Sequence, residues 1–217
     1  DLLQKEKEVQ LLSSLDIHEV AHLFTNPESY FFRSLSHLEL IKKMSTENIS
    51  IWFAGCSTGQ EVYSASLMLS SISDKTLVGT DLSRKYIEKA LSGSFFVFRK
   101  YEIKSLKKYE QLPQSQLHLN NNKESLDVKF SSIKKEGISF DIHNLMDGPY
   151  NSGFDIVYCR NVLLHMTIKG KKKALSSLKD GVKEGGILIL GDTDPHIFEG
   201  NWERKKHDNA IFWKKKW

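Results

Sequence analysis

A chain of 217 residues is long enough to bury a full core and short enough to be one domain of ordinary size with a small appendage. With 40% apolar and 27% charged residues, 13 Gly and 4 Pro, its composition excludes collagen, a mucin-like stalk and a wholly disordered chain. The formal charge of +4 hides an asymmetry: residues 1–34 hold three basic and six acidic groups, a net of −3, and the remainder carries +7.

No apolar run approaches the roughly 20 residues that cross a bilayer, and the charged stretch Asp1 to Gln10 lacks a secretory pattern. The expectation is a cytoplasmic protein with no membrane insertion. Cys56 and Cys159 lie beside apolar runs and read as buried, inert thiols. The eight histidines are scattered, with no pair at ligand spacing on a helix, and no metal site is expected.

In chain order, Leu2 to Leu15 carries the spacing of one amphipathic helix, and Thr25-Asn26-Pro27 breaks the next segment. Ile49 to Ala54 reads as a buried strand ending in the loop Gly55-Cys56-Ser57-Thr58-Gly59, and Glu61 to Leu69 as a helix. Thr76 to Thr80 is a second strand, stopped by Asp81; Ser83 caps a helix to Ala90 or Leu91, which Gly93 ends. Phe154 to Cys159 reads as a strand and Lys171 to Val182 as a helix, with a turn at Gly185-Gly186 and a strand over Ile187 to Leu190 after it. This alternation implies a doubly wound α/β sheet, parallel and covered by helices on both faces. Gln116 to Leu119, Leu126 to Phe130 and Ile138 to Ile142 alternate apolar with polar residues, with turns at Asn120 to Asn122 and Lys135 to Gly137, and read as a small antiparallel insertion over about 114–142.

Loops that leave the first strand of such a sheet bind nucleotides at the carboxyl ends of the strands. Gly55 to Gly59 holds that place. Gly59-Gln60-Glu61 lacks the Gly-Lys-Ser/Thr of a phosphate loop, and Glu61 would repel phosphate. The middle glycine of a dinucleotide fingerprint is also absent. S-adenosylmethionine carries an ammonium and a sulfonium and no phosphate, which Glu61 suits. Asp81 stands where such sheets place the carboxylate that accepts from ribose hydroxyls.

The blocks Tyr30-Phe31-Phe32-Arg33, Ala54 to Ser64, Thr80-Asp81, Asn144-Leu145 and Phe154 to Leu163 resemble, in order, the signature of the CheR-type chemotaxis receptor methyltransferases. The resemblance covers about residues 26–217. It implies a Rossmann-like class I methyltransferase fold over 35–217, with 1–34 as a reduced helical N-terminal segment and the insertion as a small β-subdomain that helps dock receptor. It also implies methyl transfer from S-adenosylmethionine, leaving S-adenosylhomocysteine, to glutamates of acidic chemoreceptor cytoplasmic helices. By resemblance, Ser29 and Gly55 contact the cofactor, Glu61 meets its methionyl amine, Asp81 its ribose, and Asn144 and Leu145 its adenine end. Arg33, Arg160 and Asn161 line the site, with Arg33, Arg160 and His165 on the acceptor side. The chain departs from the family at Gln60, at Val62, at Pro27 with Asn26 shifted by one, and at His165, which replaces a tyrosine.

A carboxylate acceptor is ionised at neutral pH and needs no general base; Arg33 and Arg160 would align it as forked donors. Two other readings stand beside this one: a methyltransferase for another acceptor, with His165 as base, and a non-catalytic S-adenosylmethionine-binding regulator. The clusters Lys107-Lys108, Lys134-Lys135, Lys171 to Lys173, Arg204 to Lys206 and Lys214 to Lys216 suit an acidic protein partner. No basic stretch is interleaved with aromatics, so nucleic acid is not expected. The sequence does not read out the oligomeric state; a monomer is the favoured expectation.

Overall fold

The computed structural model describes residues 16–25, 29–110, 117–122, 125–130, 136–194 and 200–217. The helix expected over Leu2 to Leu15 lies outside them, as do Lys134-Lys135. Strand β1 (Ile49–Ala54) pairs in parallel with β2 (Lys75–Asp81) on one side and β7 (Phe154–Cys159) on the other. β6 (Ile138–Ile142) extends the sheet beyond β2, and β8 (Val182–Leu190) lies beyond β7. The hairpin β9 (Trp202–His207) and β10 (Ala210–Lys215) closes that side, with β10 antiparallel to β8. The seven strands run in the order β6-β2-β1-β7-β8-β10-β9. The order reverses at β1, so the crevice beyond the carboxyl ends of β1 and β7 is the switch point where such sheets bind ligands.

Alternation along the strands builds two apolar layers. Ile51 and Phe53 of β1, Ile156 and Tyr158 of β7, and Ile187 and Ile189 of β8 face one core. Trp52 and Ala54, Val157 and Cys159, and Leu188 and Leu190 face the other. The first core is covered by α2 (Leu35–Met44) and α3 (Gln60–Met68), and the second by α6 (Ile168–Gly181), through Ala174, Leu175 and Leu178. Helix α3 is buried from Val62 to Met68, which explains why it carries Ser64, Ala65 and Ser66 where a surface helix would carry charge. Helix α4 (Arg84–Ser92) has Ser83 as its cap and ends at Gly93 in the left-handed region, as its sequence predicts. Helix α1 (Ile17–Phe24) docks on α4: the Tyr86 hydroxyl donates to the Thr25 carbonyl at 2.9 Å, and Arg84 pairs with Glu19. Among the described residues no helix is long and apolar enough to cross a membrane.

Three expectations are corrected. Ile138–Ile142 does not belong to the small antiparallel sheet; it pairs in parallel with β2 at an edge of the main sheet. The third strand of the small sheet is β3 (Ser94–Val97), in the order β3-β5-β4 with β4 (Leu117–Asn122) and β5 (Ser125–Phe130). Asn120 to Asn122 are thus strand, not turn. Gly185-Gly186 lies inside β8, where a register irregularity opposite Phe154 to Ile156 accommodates it. The small sheet packs Phe95 and Phe130 against Phe31 and Tyr63, so it and the Tyr30 to Arg33 turn share one aromatic core.

Candidate active site

The loop after β1 is bent by residues in the left-handed region: Gly55 at φ +71°, Ser57 at +51° and Gly59 at +91°. At Gly55 the need for glycine is steric as well, because a Cβ would collide with Val162 Cγ2. The β1 and β7 loops therefore touch at Gly55. Asp81 ends β2 and closes the loop from the other side: Oδ2 accepts from the Ser57 N–H at 2.8 Å and Oδ1 from the Ser83 N–H at 3.0 Å. Burial pushes its carboxyl up, against the pull of these N–H groups. A carboxylate has about four acceptor positions, so these bonds, together with one from the Leu82 N–H, leave capacity for a ribose hydroxyl.

Glu61, in the first turn of α3, lies between β7 and its loop. The Tyr158 hydroxyl donates to Glu61 Oε1 at 2.7 Å, and Arg160 Nη1 lies 3.5 Å from the same oxygen. Burial, reinforced by the Glu61 charge, holds the Tyr158 phenol above its ordinary range, so it stays protonated and donates. Asn161 is in the left-handed region at φ +57°. Its strained turn is held by Asp194, which is 2% exposed and accepts from the N–H groups of Asn161 and Gly191 at 2.9 Å and Leu164 at 3.2 Å.

The turn that carries Arg33 is pinned from two helices. Phe31 N–H donates to Glu102 Oε1 at 2.7 Å from α5 (Lys100–Glu110), and Phe32 N–H donates to Ser64 Oγ at 3.0 Å from α3. Phe32 is itself in the left-handed region at φ +55°. The guanidinium groups of Arg33 and Arg99 each lie 4.9 Å from the centre of the Tyr30 ring. Within the first turn of α2, His37 is buried, with Nδ1 2.6 Å from Ser34 Oγ. Burial first and the Arg160 charge second lower its pKa to about 4, so its ring is neutral at neutral pH.

The structure brings Gly55, Asp81, Glu61, Arg160 and Asn161 together at the switch point. Asn144 caps the 3-10 turn Leu145–Asp147 after β6, accepting from the Met146 N–H, and Leu145 packs in the second core. His165 is exposed at the end of the 3-10 turn Leu163–His165. Sequence reasoning missed His37, Glu102, Tyr158 and Asp194, whose partners lie on other elements; only Tyr158, within a signature block, carried a signal. It also overlooked that His18 and His22 stand one turn apart on α1; their Nδ1 atoms lie 2.9 and 2.8 Å from the carbonyls of Leu82 and Glu19. Both thiols are buried, and burial pushes each well above its ordinary pKa.

Buried polar atoms normally find partners. Here Ser29 Oγ, Ser57 Oγ, Asn161 Oδ1, and Nε and Nη1 of Arg160 have no hydrogen-bond partner among the described residues. Ser57, Asn161 and Arg160 belong to the loops that line the switch point. Their unmet donors and acceptors, with the anionic Glu61 and Asp81, fit a ligand that carries hydroxyls, a carboxylate and positive charge.

A sheet of this order, with a bent glycine loop after its first strand and an aspartate ending its second, is that of a class I methyltransferase that uses S-adenosylmethionine. Residues 27–209 match the CheR methyltransferase, SAM binding domain, and the chain belongs to that family. It is 25% identical over 189 residues to a chemotaxis protein methyltransferase of Listeria monocytogenes, covering 82% of this chain and 69% of that one. It is 27% identical over 209 residues to a chemotaxis protein methyltransferase of Borreliella burgdorferi, covering 86% and 68%. A TehB-like SAM-dependent methyltransferase from Corynebacterium glutamicum aligns with a TM-score of 0.48 at 15% identity, over 99% of this chain and 97% of that one. The fold assignment rests on the strand order and the family match.

Proposed function

We propose that the protein methylates glutamate side chains of chemoreceptor cytoplasmic helices, forming glutamyl methyl esters. The observation that carries this reading is Arg160: a buried guanidinium whose Nε and Nη1 lack hydrogen bonds, set beside the anionic Glu61. A carboxylate is the group that such donors take up best. The names of the two relatives point to chemotaxis, and the acceptor chemistry points the same way.

S-adenosylmethionine supplies an electrophilic methyl group on a sulfonium. In this proposal Glu61 binds the ammonium of the methionyl end, Asp81 accepts from the ribose, and Asn144 lies toward the adenine. Ser29, Gly55 and Asn161 line the cofactor site. Arg33 and Arg160 orient the acceptor carboxylate for in-line attack and keep water from competing. The carboxylate is already ionised near neutral pH, with an ordinary pKa of about 4.3, so no proton has to be removed. His165, at an exposed position, then acts in substrate alignment.

Transfer of a radiolabelled methyl group to receptor-bearing membranes tests this directly. Label released as methanol by mild base supports the ester. Label that resists base identifies another acceptor, and cofactor binding without transfer identifies a regulator.

A further inference from the structure

Tyr158 stands at an apolar position of the sheet. Its neighbours across the strands are Phe53 of β1 and Ile189 of β8, and its ring packs 5.2 Å from Phe53. A buried phenol normally keeps a hydrogen-bond partner. This one spans from β7 to Glu61 Oε1 at 2.7 Å, and Arg160 Nη1 approaches the same oxygen at 3.5 Å. Both contacts fall on Oε1, and the phenol is also hydrogen-bonded to the Arg160 side chain.

We propose that Tyr158 is a positioning residue for the methionyl ammonium of the cofactor, holding Glu61 through Oε1 so that Oε2 is presented to the ligand. The hydroxyl has a second effect. With Oε1 already accepting a short bond, Arg160 is held at ion-pair distance and does not close on Glu61 as a two-bond fork, which would quench the carboxylate and occupy the guanidinium. Tyr158 in this way keeps apart two opposite charges that are assigned to two different ligands. The inference rests on the assignment of Glu61 to the amine.

The test compares two ligands by calorimetry on the intact chain: S-adenosylmethionine, and 5′-methylthioadenosine, which has the adenosine and sulfur but neither ammonium nor carboxylate. Tyr158→Phe keeps the ring in the core and removes one hydroxyl. It is expected to weaken S-adenosylmethionine about tenfold and leave methylthioadenosine unchanged, since a bond to a charged group is involved. Glu61→Gln should show the same selectivity more strongly, and adding Tyr158→Phe to it should cost little more. If Glu61→Gln discriminates between the ligands and Tyr158→Phe does not, the positioning role of Tyr158 is wrong. If Tyr158→Phe weakens both ligands equally, the hydroxyl acts on the fold and the inference again fails. If Glu61→Gln weakens neither ligand selectively, the amine assignment falls and takes this inference with it.

Discussion

Two aspartates, Asp81 and Asp194, organise the two sides of the cleft by the same device and to different ends. Each gathers backbone N–H groups from a loop at the carboxyl ends of the strands: Asp81 from Ser57 and Ser83, and Asp194 from Asn161, Leu164 and Gly191. Asp194 is enclosed, with three donors on its carboxylate. Asp81 is half-buried and has acceptor capacity left over. A carboxylate in a loop is a scaffold when the protein fills it and a ligand group when the protein fills it in part.

That distinction predicts a separation of effects. Asp194→Ala strands three N–H groups and should lower stability by about 4 kcal/mol in urea unfolding. Asp81→Ala should act on affinity instead, weakening S-adenosylmethionine by about 1.5–3 kcal/mol in calorimetry at a smaller cost in stability. If both variants lose the same stability and the same affinity, the contrast between scaffold and ligand group collapses.

His37 sharpens the comparison, because it is buried without being charged. Its pKa falls from 6.5 in the unfolded chain to about 4 in the fold, so the unfolded state binds the extra proton between those values. Its contribution to stability is therefore complete above pH 6.5 and is lost as pH falls toward 4, on the order of 3 kcal/mol in all. His37→Gln should flatten the pH dependence of the unfolding midpoint in that window, and an unchanged slope would remove the histidine from the account.

The smallest effect lies outside the cleft. In the proposed reaction the acceptor helix is acidic, and Lys171 to Lys173 lie at the start of α6 with Lys172 and Lys173 exposed. Reversing their charge should raise the Michaelis constant for receptor by about threefold at low salt and flatten its salt dependence, with cofactor affinity unmoved. Receptor methylation that ignores both salt and the reversal would make the cluster an ordinary solvated face.

Residues 49–93 were legible from the sequence because their signals are local: a buried apolar run, a glycine loop, a serine cap, a terminating glycine. Ile138 to Ile142 departs from its sequence expectation for a physical reason. As an edge strand with one face half-covered it alternates in exposure, the same pattern that a strand of a small antiparallel sheet shows. β3 carries no sequence signal because the exposed Phe96 and Phe98 alternate with the buried Phe95 and Val97 and erase the pattern. Within the site, the motif residues were readable, while their supports were not. Glu102 meets Phe31 from 71 residues away and Tyr158 meets Glu61 from 97, and no local pattern marks either meeting.

The bond from Phe32 N–H to Ser64 Oγ sets a dimension. Ser64 lies three residues beyond Glu61 on α3, about 4.5 Å along the axis of a rigid helix. The turn that bears Arg33 is therefore mounted on the same rod as the carboxylate assigned to the cofactor, less than one turn further on. In the proposed reaction one hydrogen bond thus references the Arg33 side of the acceptor to the helix that carries Glu61, while Arg160 references the other side to the loop after β7.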